Sequence, residues 1–506
     1  MKKLGFILVS GSALVLLGAC SNQGEETTDT ANQNEELAIV TTFYPVYDFT
    51  KHIVGDEGDV SLMVPAGTEP HDYEPSAKDM AKINDADVFI YHNENMETWV
   101  PQAEKGWEEG APNVIKGTED MLLLAGSEEE HDHEEGEDGH THELDPHTWL
   151  SPKKAIDEVN SITNQLSELY PEKQTVFEEN AAEYVTELES LDQEYSDSLN
   201  EAKQTSFVTQ HAAFGYLALD YGLTQVPITG LSPEEEPSPS RLAELKDYVA
   251  DNEIHYIYYE ENTNDKIAQT LADEANVQTA VLNPLESLTD EQIEAGEDYI
   301  SVMEDNLASL EKTTTVAGKE IQAEDAHSEE TVANGYFDDQ DVKDRALSDY
   351  VGEWQSVYPL LEDGTLDPVF EYKAKLNQEM TEEEYKEYYD TGYQTDVATI
   401  NIEGDTIDFV VDGESHKYTY EYQGYEILEY EKGNRGVRYL FETNDDAGQF
   451  KYVQFSDHNI APVEAEHFHI FFGENEEDVL AEMDNWPTYY PKDLSGEEIA
   501  QEMMAH

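Results

Sequence analysis

The chain has 506 residues, of which 114 are acidic and 27 are basic, so its formal net charge at pH 7 is −87. This length exceeds that of one ordinary hydrophobic core and predicts two or three domains. The charge repels nucleic acid phosphates, which excludes nucleic acid as a partner, and favours cations. Because such a charge attracts every divalent cation, a selective metal site has to be inferred from particular ligands.

The first 20 residues have the pattern of a bacterial export signal that ends in a cysteine. Two lysines precede an apolar stretch too short to span a bilayer. Residues 17–20 (LGAC) resemble a lipobox, in which the cysteine receives a diacylglycerol. We expect a lipid anchor on Cys20 at the extracellular face of a Gram-positive type of cell membrane. The alternative is an ordinary signal peptide with an incidental cysteine.

Two further predictions concern this part of the chain. Cys20 is the only cysteine, so neither an internal disulfide nor a thiolate zinc site is possible. Residues 21–36 are polar and have no apolar periodicity, which predicts a flexible tether between the lipid and the first domain. Any metal bound by this protein must therefore be held by nitrogen and oxygen.

From residue 37 the sequence alternates predicted strands and helices. VSLMVP, a helix over residues 76–84 and DVFIYHN come first, and SFVTQ, IHYIYYE, a helix over DKIAQTLADEA and TAVLNP follow later. This order predicts an α/β domain with parallel sheets. Between the two blocks, seven residues at helical spacing predict one long helix that limits hinging between two lobes. They are Phe177, Ala181, Tyr184, Leu188, Leu191, Tyr195 and Leu199.

Residues 311–332 break this pattern and predict a linker, the start of which could extend the preceding helix. After it, short alternating segments are separated by the turn sequences EGD, DGE and GNRG. Tyr418, Tyr420 and Tyr422 share one strand face by their period of two. We predict an antiparallel sheet or barrel, preceded by helical segments around residues 341–361 and 381–389.

Four potential metal ligands lie beside predicted strand ends in the α/β region. They are His71 in VPAGTEPHDYEPS, His147 in LDPHTWLSP, His211 in VTQHAAFGY and Glu286 in VLNPLESL. In open α/β sheets, ligands collect beyond the carboxyl ends of the strands, so these side chains can converge. Three imidazole nitrogens and one carboxylate suit tetrahedral Zn²⁺. Each residue alone is more often structural than a ligand, and only the combination predicts a metal site.

A second set of histidines lies in SDHNIAPVEAEHFHIFFG. His467 and His469 are two apart on a predicted strand and share one face, whereas Phe468 and Ile470 point to the other. His458 comes from the end of the preceding strand. Three nitrogens would leave a fourth position for water, a carboxylate or another histidine.

The first region resembles the cluster A-I, or cluster 9, metal-binding proteins of ABC transporters, in particular the AdcA type of zinc-binding lipoprotein. PAGTEPHDYEPS, DPHTWLSP, TQHAAFGYLALDYGL and NPLESL carry this resemblance, which covers about residues 37–310. It implies two α/β lobes joined by a long helix, with zinc bound in the cleft by His71, His147, His211 and Glu286. Members that carry manganese have a carboxylate in place of the third histidine, so metal identity depends on His211.

Residues 333–506 resemble the ZinT family. GYFDDQDVKDRALSDYVGEWQSVYPLL, the three histidines and NWPTYYP carry the resemblance. It implies a calycin-like antiparallel β-barrel with flanking helices, and it assigns zinc binding to His458, His467 and His469. A fusion of these two domains is characteristic of AdcA-type proteins.

The acidic segment 128–143 contains four histidines: His131, His133, His140 and His142. It matches the His-rich loop of zinc-binding members, and the resemblance implies a weak collector that raises the local zinc concentration near the cleft. The alternative is a solvated insertion with no role in binding. The remaining histidines match no ligand motif and are interpreted as surface or packing residues. They are His52, His92, His255, His327, His416 and His506.

The resemblance implies a monomeric extracellular receptor, not an enzyme, that passes zinc to a separate ABC permease and its ATPase. The sequence has no GxxxxGK[ST] motif and no spanning segment after the signal, so the chain is expected neither to hydrolyse nucleotide nor to form the channel.

Two other classes of protein are alternatives. A cell-surface zinc hydrolase would use a three-ligand site with an open position. However, HELDPH is one residue longer than HExxH, and Pro146 would disrupt the helix that this motif needs. The other class is an adhesin whose metal is only structural, which metal-free binding to matrix proteins would support.

Overall fold

The structure is a computed structural model. It describes residues 37–107, 111–126, 144–233, 237–260, 265–318, 332, 335–377, 380–429, 435–481 and 484–505. The predicted signal peptide, Cys20, the tether and the histidine-rich segment 128–143 lie outside the described residues, as do His327 and His506.

The first lobe is built on a parallel sheet with the strand order β2-β1-β3-β4. Ser76 and Asp79 form a capping box at the predicted start of the second helix. In chain order the elements are β1 (Leu37–Thr41), α1 (Tyr44–Val54), β2 (Gly58–Leu62), α2 (Ala77–Asn84), β3 (Val88–Tyr91), α3 (Val100–Glu104) and β4 (Asn113–Lys116).

Two helices, α4 (Pro152–Leu169) and α5 (Gln174–Leu199), lead from the first sheet to the second. The buried residues of α5 are the seven that the periodicity predicted, so the long helix is confirmed. All seven belong to one hydrophobic cluster that includes Ile90 of β3 and Phe207 of the second sheet. The stripe on α5 therefore shares one core with both lobes.

The second lobe is also built on a parallel sheet, with the strand order β6-β5-β7-β8. Its elements are β5 (Ser206–Thr209), α6 (Gly215–Asp220), β6 (Thr224–Pro227), α7 (Pro239–Asp251), β7 (Tyr256–Tyr259), α8 (Lys266–Ala275), β8 (Gln278–Val281), α9 (Asp290–Ala295) and α10 (Tyr299–Thr314). The helix α10 includes the first residues of the predicted linker 311–332, and residues 319–331 of that linker lie outside the described residues.

The second domain is a closed antiparallel barrel with the strand order β10-β11-β12-β13-β14-β15-β16-β9. Tyr418, Tyr420 and Tyr422 all contact its core, as their alternation predicted. Its elements are β9 (Gly352–Ser356), α11 (Tyr358–Glu362), α12 (Asp367–Asn377), α13 (Glu382–Tyr393), β10 (Val397–Glu403), β11 (Thr406–Val411), β12 (Glu414–Glu429), β13 (Arg435–Thr443), β14 (Tyr452–Ser456), β15 (Phe468–Gly473), α14 (Glu476–Leu480), β16 (Thr488–Pro491) and α15 (Gly496–Ala505). Among the described residues, no helix combines the length and apolar character needed to cross a membrane.

The prediction of a helical segment over residues 341–361 is wrong for most of its length. Residues 347–350 form a single 3-10 turn, β9 follows, and only α11 is helical. Trp354 and Ser356 are buried, whereas Glu353 is exposed, which is the alternation of a strand. Because β9 pairs with both β10 and β16 and closes the barrel, tertiary pairing decides its conformation. The helix predicted at residues 381–389 is confirmed as α13.

Candidate metal centres

The first candidate centre is formed by residues from four separate segments. His71 lies on the loop between β2 and α2, His211 is the second residue after β5, and Glu286 follows β8. His147 directly precedes a 3-10 turn over residues 148–150. The expected strand before His147 is absent from the described residues, where only an isolated bridge pairs Ala125 with Leu144.

The ligand atoms of these four residues lie within 4.8 Å of one another. His71 Nε2 is 3.1 Å from His147 Nε2, which is 3.4 Å from His211 Nε2. Glu286 Oε1 is 3.5, 3.7 and 3.3 Å from the Nε2 atoms of His71, His147 and His211. Zinc–nitrogen bonds of about 2.0–2.1 Å give a tetrahedron with edges of about 3.3 Å, so the spacing suits this geometry.

Two carboxylates that the sequence analysis did not single out orient these imidazoles. Asp145 Oδ1 is 2.7 Å from His147 Nδ1 and also accepts the backbone N–H of His147. Glu260 Oε1 is 2.5 Å from His211 Nδ1. A carboxylate that accepts the Nδ1 proton leaves Nε2 as the ligand atom and fixes the direction of the ring. The DPH order was a local signal for Asp145, whereas Glu260 is 49 residues from His211 and had none.

The electrostatics of the cluster favour an anion at Glu286 and a proton on His211. Burial would raise the pKa of Glu286, but the three imidazoles outweigh it and hold this pKa well below its usual range. Burial would lower the pKa of His211, but the carboxylates of Glu260 and Glu286 raise it well above its usual value. Burial lowers the pKa of His71. A metal ion at this position must therefore displace a proton from His211.

The loop that carries His71 forms the side of this centre that faces solvent. The side chain of His71 is 10% exposed, whereas those of His147 and His211 are fully buried. On the same loop, Gly67 donates its backbone N–H to Ser287 Oγ at 2.6 Å. Solvent therefore reaches this centre on the His71 side.

A buried ion pair lies behind His147. His92 is fully buried, with Nδ1 2.9 Å from Glu158 Oε1 and Nε2 2.6 Å from the carbonyl oxygen of Pro146. Burial would lower the pKa of His92, but the carboxylate of Glu158 outweighs it and raises this pKa. Because both ring nitrogens face acceptors, the imidazolium donates two hydrogen bonds and fixes the backbone next to His147.

The second candidate centre lies where β14 ends and β15 begins. The ligand atoms of His458, His467 and His469 lie within 4.8 Å of one another. His458 Nε2 is 3.2 Å from His469 Nε2, and the ring of His467 stacks on Tyr490. His458 is exposed and has a φ of 63°, which the turn after β14 requires. No fourth His, Asp or Glu of the described residues joins this group.

Thr488 fixes the tautomer of His469. Its hydroxyl donates to the carbonyl of Trp486 at 3.0 Å and lies 2.7 Å from His469 Nδ1, so it accepts the Nδ1 proton. Burial, His458 and Arg438 together lower the pKa of His469 to about 3. His469 is therefore a neutral imidazole whose Nε2 faces the other two histidines.

Three other histidines lie away from both centres. His52 stacks on Tyr184, His255 is exposed and His416 is half-buried next to Phe450. These positions fit their interpretation as surface or packing residues.

Two family models match the chain. Zinc-uptake complex component A periplasmic (ZnuA) matches residues 39–313, and the ZinT (YodA) periplasmic lipocalin-like zinc-recruitment family matches residues 328–506. The zinc-binding lipoprotein AdcA of Streptococcus pneumoniae R6 is 61% identical over 509 residues, with 100% of both chains covered. The zinc-binding protein AdcA of Streptococcus pyogenes serotype M3 is 55% identical over 486 residues, which cover 93% of this chain and 94% of that protein.

A solved structure gives the same result in three dimensions. The crystal structure of Zn(II)-bound AdcA from Streptococcus pneumoniae matches with a TM-score of 0.84 and 61% sequence identity. The match covers 93% of this chain and 100% of that chain.

Proposed function

Because this chain belongs to the ZnuA family of zinc-uptake components and, over its whole length, to the AdcA-type proteins that add a ZinT-like domain, we propose that it captures zinc outside the cell and delivers it to an ABC permease. His71, His147, His211 and Glu286 are the proposed ligands of one zinc site. His458, His467 and His469 are the proposed ligands of a second site.

The single observation that carries this proposal is the convergence of three Nε2 atoms and one buried carboxylate oxygen at tetrahedral spacing. The buried Glu286 Oε1 lies 3.3 Å from His211 Nε2, and the proton on His211 balances its charge in the zinc-free site. A buried carboxylate is costly unless a cation stays beside it. Zinc takes over this role when it displaces the proton.

Capture by this site needs no chemical reaction, and we assign no enzymatic activity to the chain. The oriented imidazoles and the Glu286 carboxylate bind the ion. Release follows when a complex with the permease favours a different geometry of the two lobes, because a ligand is lost when the state that binds it less well becomes populated. The ATPase that drives uptake is a separate partner.

The organisation of the remaining chain belongs to the same proposal. A lipid on Cys20 anchors a monomer to the outer face of the cell membrane, and residues 21–36 tether it. Segment 128–143 collects zinc, and residues 311–332 link the two domains. Labelling with radioactive palmitate in a Gram-positive host tests the anchor, and equal labelling of Cys20→Ala contradicts it.

Zinc stoichiometry of the soluble chain that starts after Cys20 tests the two sites. Competition with a chelator should detect two tightly bound zinc ions per chain. His211→Ala should remove one of them and His467→Ala the other. If His467→Ala keeps both ions, the assignment of the second site is wrong.

A further inference from the structure

One contact between the second domain and the first lies at a short segment, residues 121–125, which we call the docking segment. The side chain of Gln501 on α15 accepts the backbone N–H of Leu123 at 2.7 Å and donates to its carbonyl oxygen at 2.7 Å. Leu122 and Leu124 pack against the hydrophobic cluster formed by the helices of the second domain. The docking segment is therefore held on both its polar and its apolar sides.

The docking segment also holds the backbone that carries His147. Asp145 donates its N–H to the carbonyl oxygen of Leu124 at 2.8 Å. The hydroxyl of Tyr216 accepts the N–H of Leu124 at 2.8 Å and donates to the carbonyl oxygen of Asp145 at 2.7 Å. Asp145 in turn orients His147 through Nδ1. Only a few hydrogen bonds thus separate Gln501 from a proposed zinc ligand.

A second contact reaches the same region from α12. Lys375 Nζ is 2.8 Å from the buried Asp220, which also accepts a hydrogen bond from Ser151 Oγ at 2.5 Å. Ser151 follows the 3-10 turn that begins after His147. A cavity of about 400 Å³ lined by both domains lies beside these contacts. The cavity means that the two domains are not tightly packed at this part of their interface. The polar contacts described here between the two domains are those of Gln501 and Lys375.

We propose that the contacts of Gln501 and Lys375 with the first domain position His147, so that the second domain sets the zinc affinity of the first site. Gln501 and Lys375 are positioning residues that act through the docking segment and Asp220. Because coupling between two sites is reciprocal, zinc at the first site also strengthens the contact between the domains. This inference rests on the proposed zinc ligands of the first site.

The test uses the whole soluble chain with His467→Ala and His469→Ala, so that zinc bound tightly reports the first site alone. Adding Gln501→Ala and Lys375→Ala should weaken zinc binding about 5-fold to about 30-fold, within the usual range of coupling between sites. Zinc should also dissociate faster into excess chelator. The matched control is Gln423→Ala with Lys492→Ala, which removes one glutamine and one lysine exposed elsewhere on the second domain and should leave affinity unchanged.

The outcomes distinguish two roles for Gln501 and Lys375: positioning His147, or only holding the two domains together. Equal affinity in the test and control variants overturns the inference, whether or not small-angle scattering shows that the domains have separated. Restoring Gln501 and replacing Lys375 by Arg should recover the affinity, because the ion pair with Asp220 is kept. Tyr216→Phe should weaken zinc binding and should not add to the effect of Gln501→Ala if both act on one path. If the parent chain itself binds no zinc tightly, the proposed first site fails instead.

Discussion

Glu260 follows β7, the strand next to the one that ends before His211, and its Oε1 lies 2.5 Å from His211 Nδ1. The two residues are buried, so the contact is not weakened by solvent. The same contact orients the imidazole of His211 and raises its pKa.

Glu260→Gln should weaken zinc binding at the first site about 10-fold to about 100-fold, because an amide orients the imidazole less strongly and makes it a poorer ligand. Chelator competition in the chain with His467→Ala and His469→Ala measures this effect. Glu244→Gln, an exposed position on α7, is the control and should leave affinity unchanged. A normal affinity for Glu260→Gln would show that His211 needs no orienting carboxylate.

His211→Glu should weaken zinc relative to manganese. A second carboxylate beside Glu286 makes the site harder, and harder oxygen ligands favour manganese over zinc. Calorimetry with each metal on the same variant gives the ratio of affinities. If that ratio matches the wild-type ratio, metal identity does not depend on His211.

Zinc affinity of the first site should fall as the pH falls. The raised pKa of His211 means that the zinc-free site carries a proton there near neutral pH, and zinc must release it. The lowered pKa of His71 means that this ring is already neutral. One released proton predicts a loss of about tenfold in affinity per pH unit. Titration between about pH 7.5 and about pH 5.5 tests this, and a flat profile contradicts it.

Thr488→Val should weaken zinc binding at the second site several-fold, since the valine cannot accept the Nδ1 proton of His469. Zinc competition in the His211→Ala background isolates this site. The control is Thr419→Val, which removes an exposed hydroxyl on β12. Equal affinity in the two variants would mean that packing alone orients His469.

His92→Gln should lower the free energy of unfolding of the zinc-free chain by about 3 to about 5 kcal/mol at acidic pH, because it leaves Glu158 buried without its cation. The folded pKa of His92 is raised, so the stability from this pair is complete below the unfolded pKa of about 6.5 and is lost as the pH rises through the folded pKa. The difference between wild type and variant should therefore shrink at alkaline pH. Denaturant unfolding at several pH values measures it, and His52→Gln, which removes a partly exposed histidine, should cost about 1 kcal/mol or less.

Elements with a strong local signal were predicted from the sequence. The stripe on α5, the helix predicted over residues 76–84 and the alternation of tyrosines on β12 depend on near neighbours, and all three are confirmed. The predicted family, the two α/β lobes and the antiparallel barrel are confirmed as well. The strand β9 was missed because its conformation depends on partners more than forty residues away in the chain, Ile400 of β10 among them.

In the candidate sites too, contacts between residues far apart in the sequence could not be predicted. The structure brings together the four residues proposed for the first centre and the three proposed for the second, and their roles as zinc ligands stay a prediction. Glu260 and Thr488 could not be identified, because nothing near them in the sequence marks a partner of His211 or His469. His92 was interpreted as a surface or packing residue, and only the fold reveals its ion pair with Glu158.

The closure of the barrel by β9 determines how metal could enter and leave each of the two centres. Every strand of the barrel is bonded to two neighbours, so the second domain has no seam along which it could open. We therefore expect metal to enter and leave the second centre at the rim of the barrel, where His458 is exposed. The first centre lies between two sheets that share no strand, so a movement of one sheet relative to the other can open it. The second centre therefore lies at the rim of a rigid barrel, whereas the first lies between two sheets that can move relative to each other.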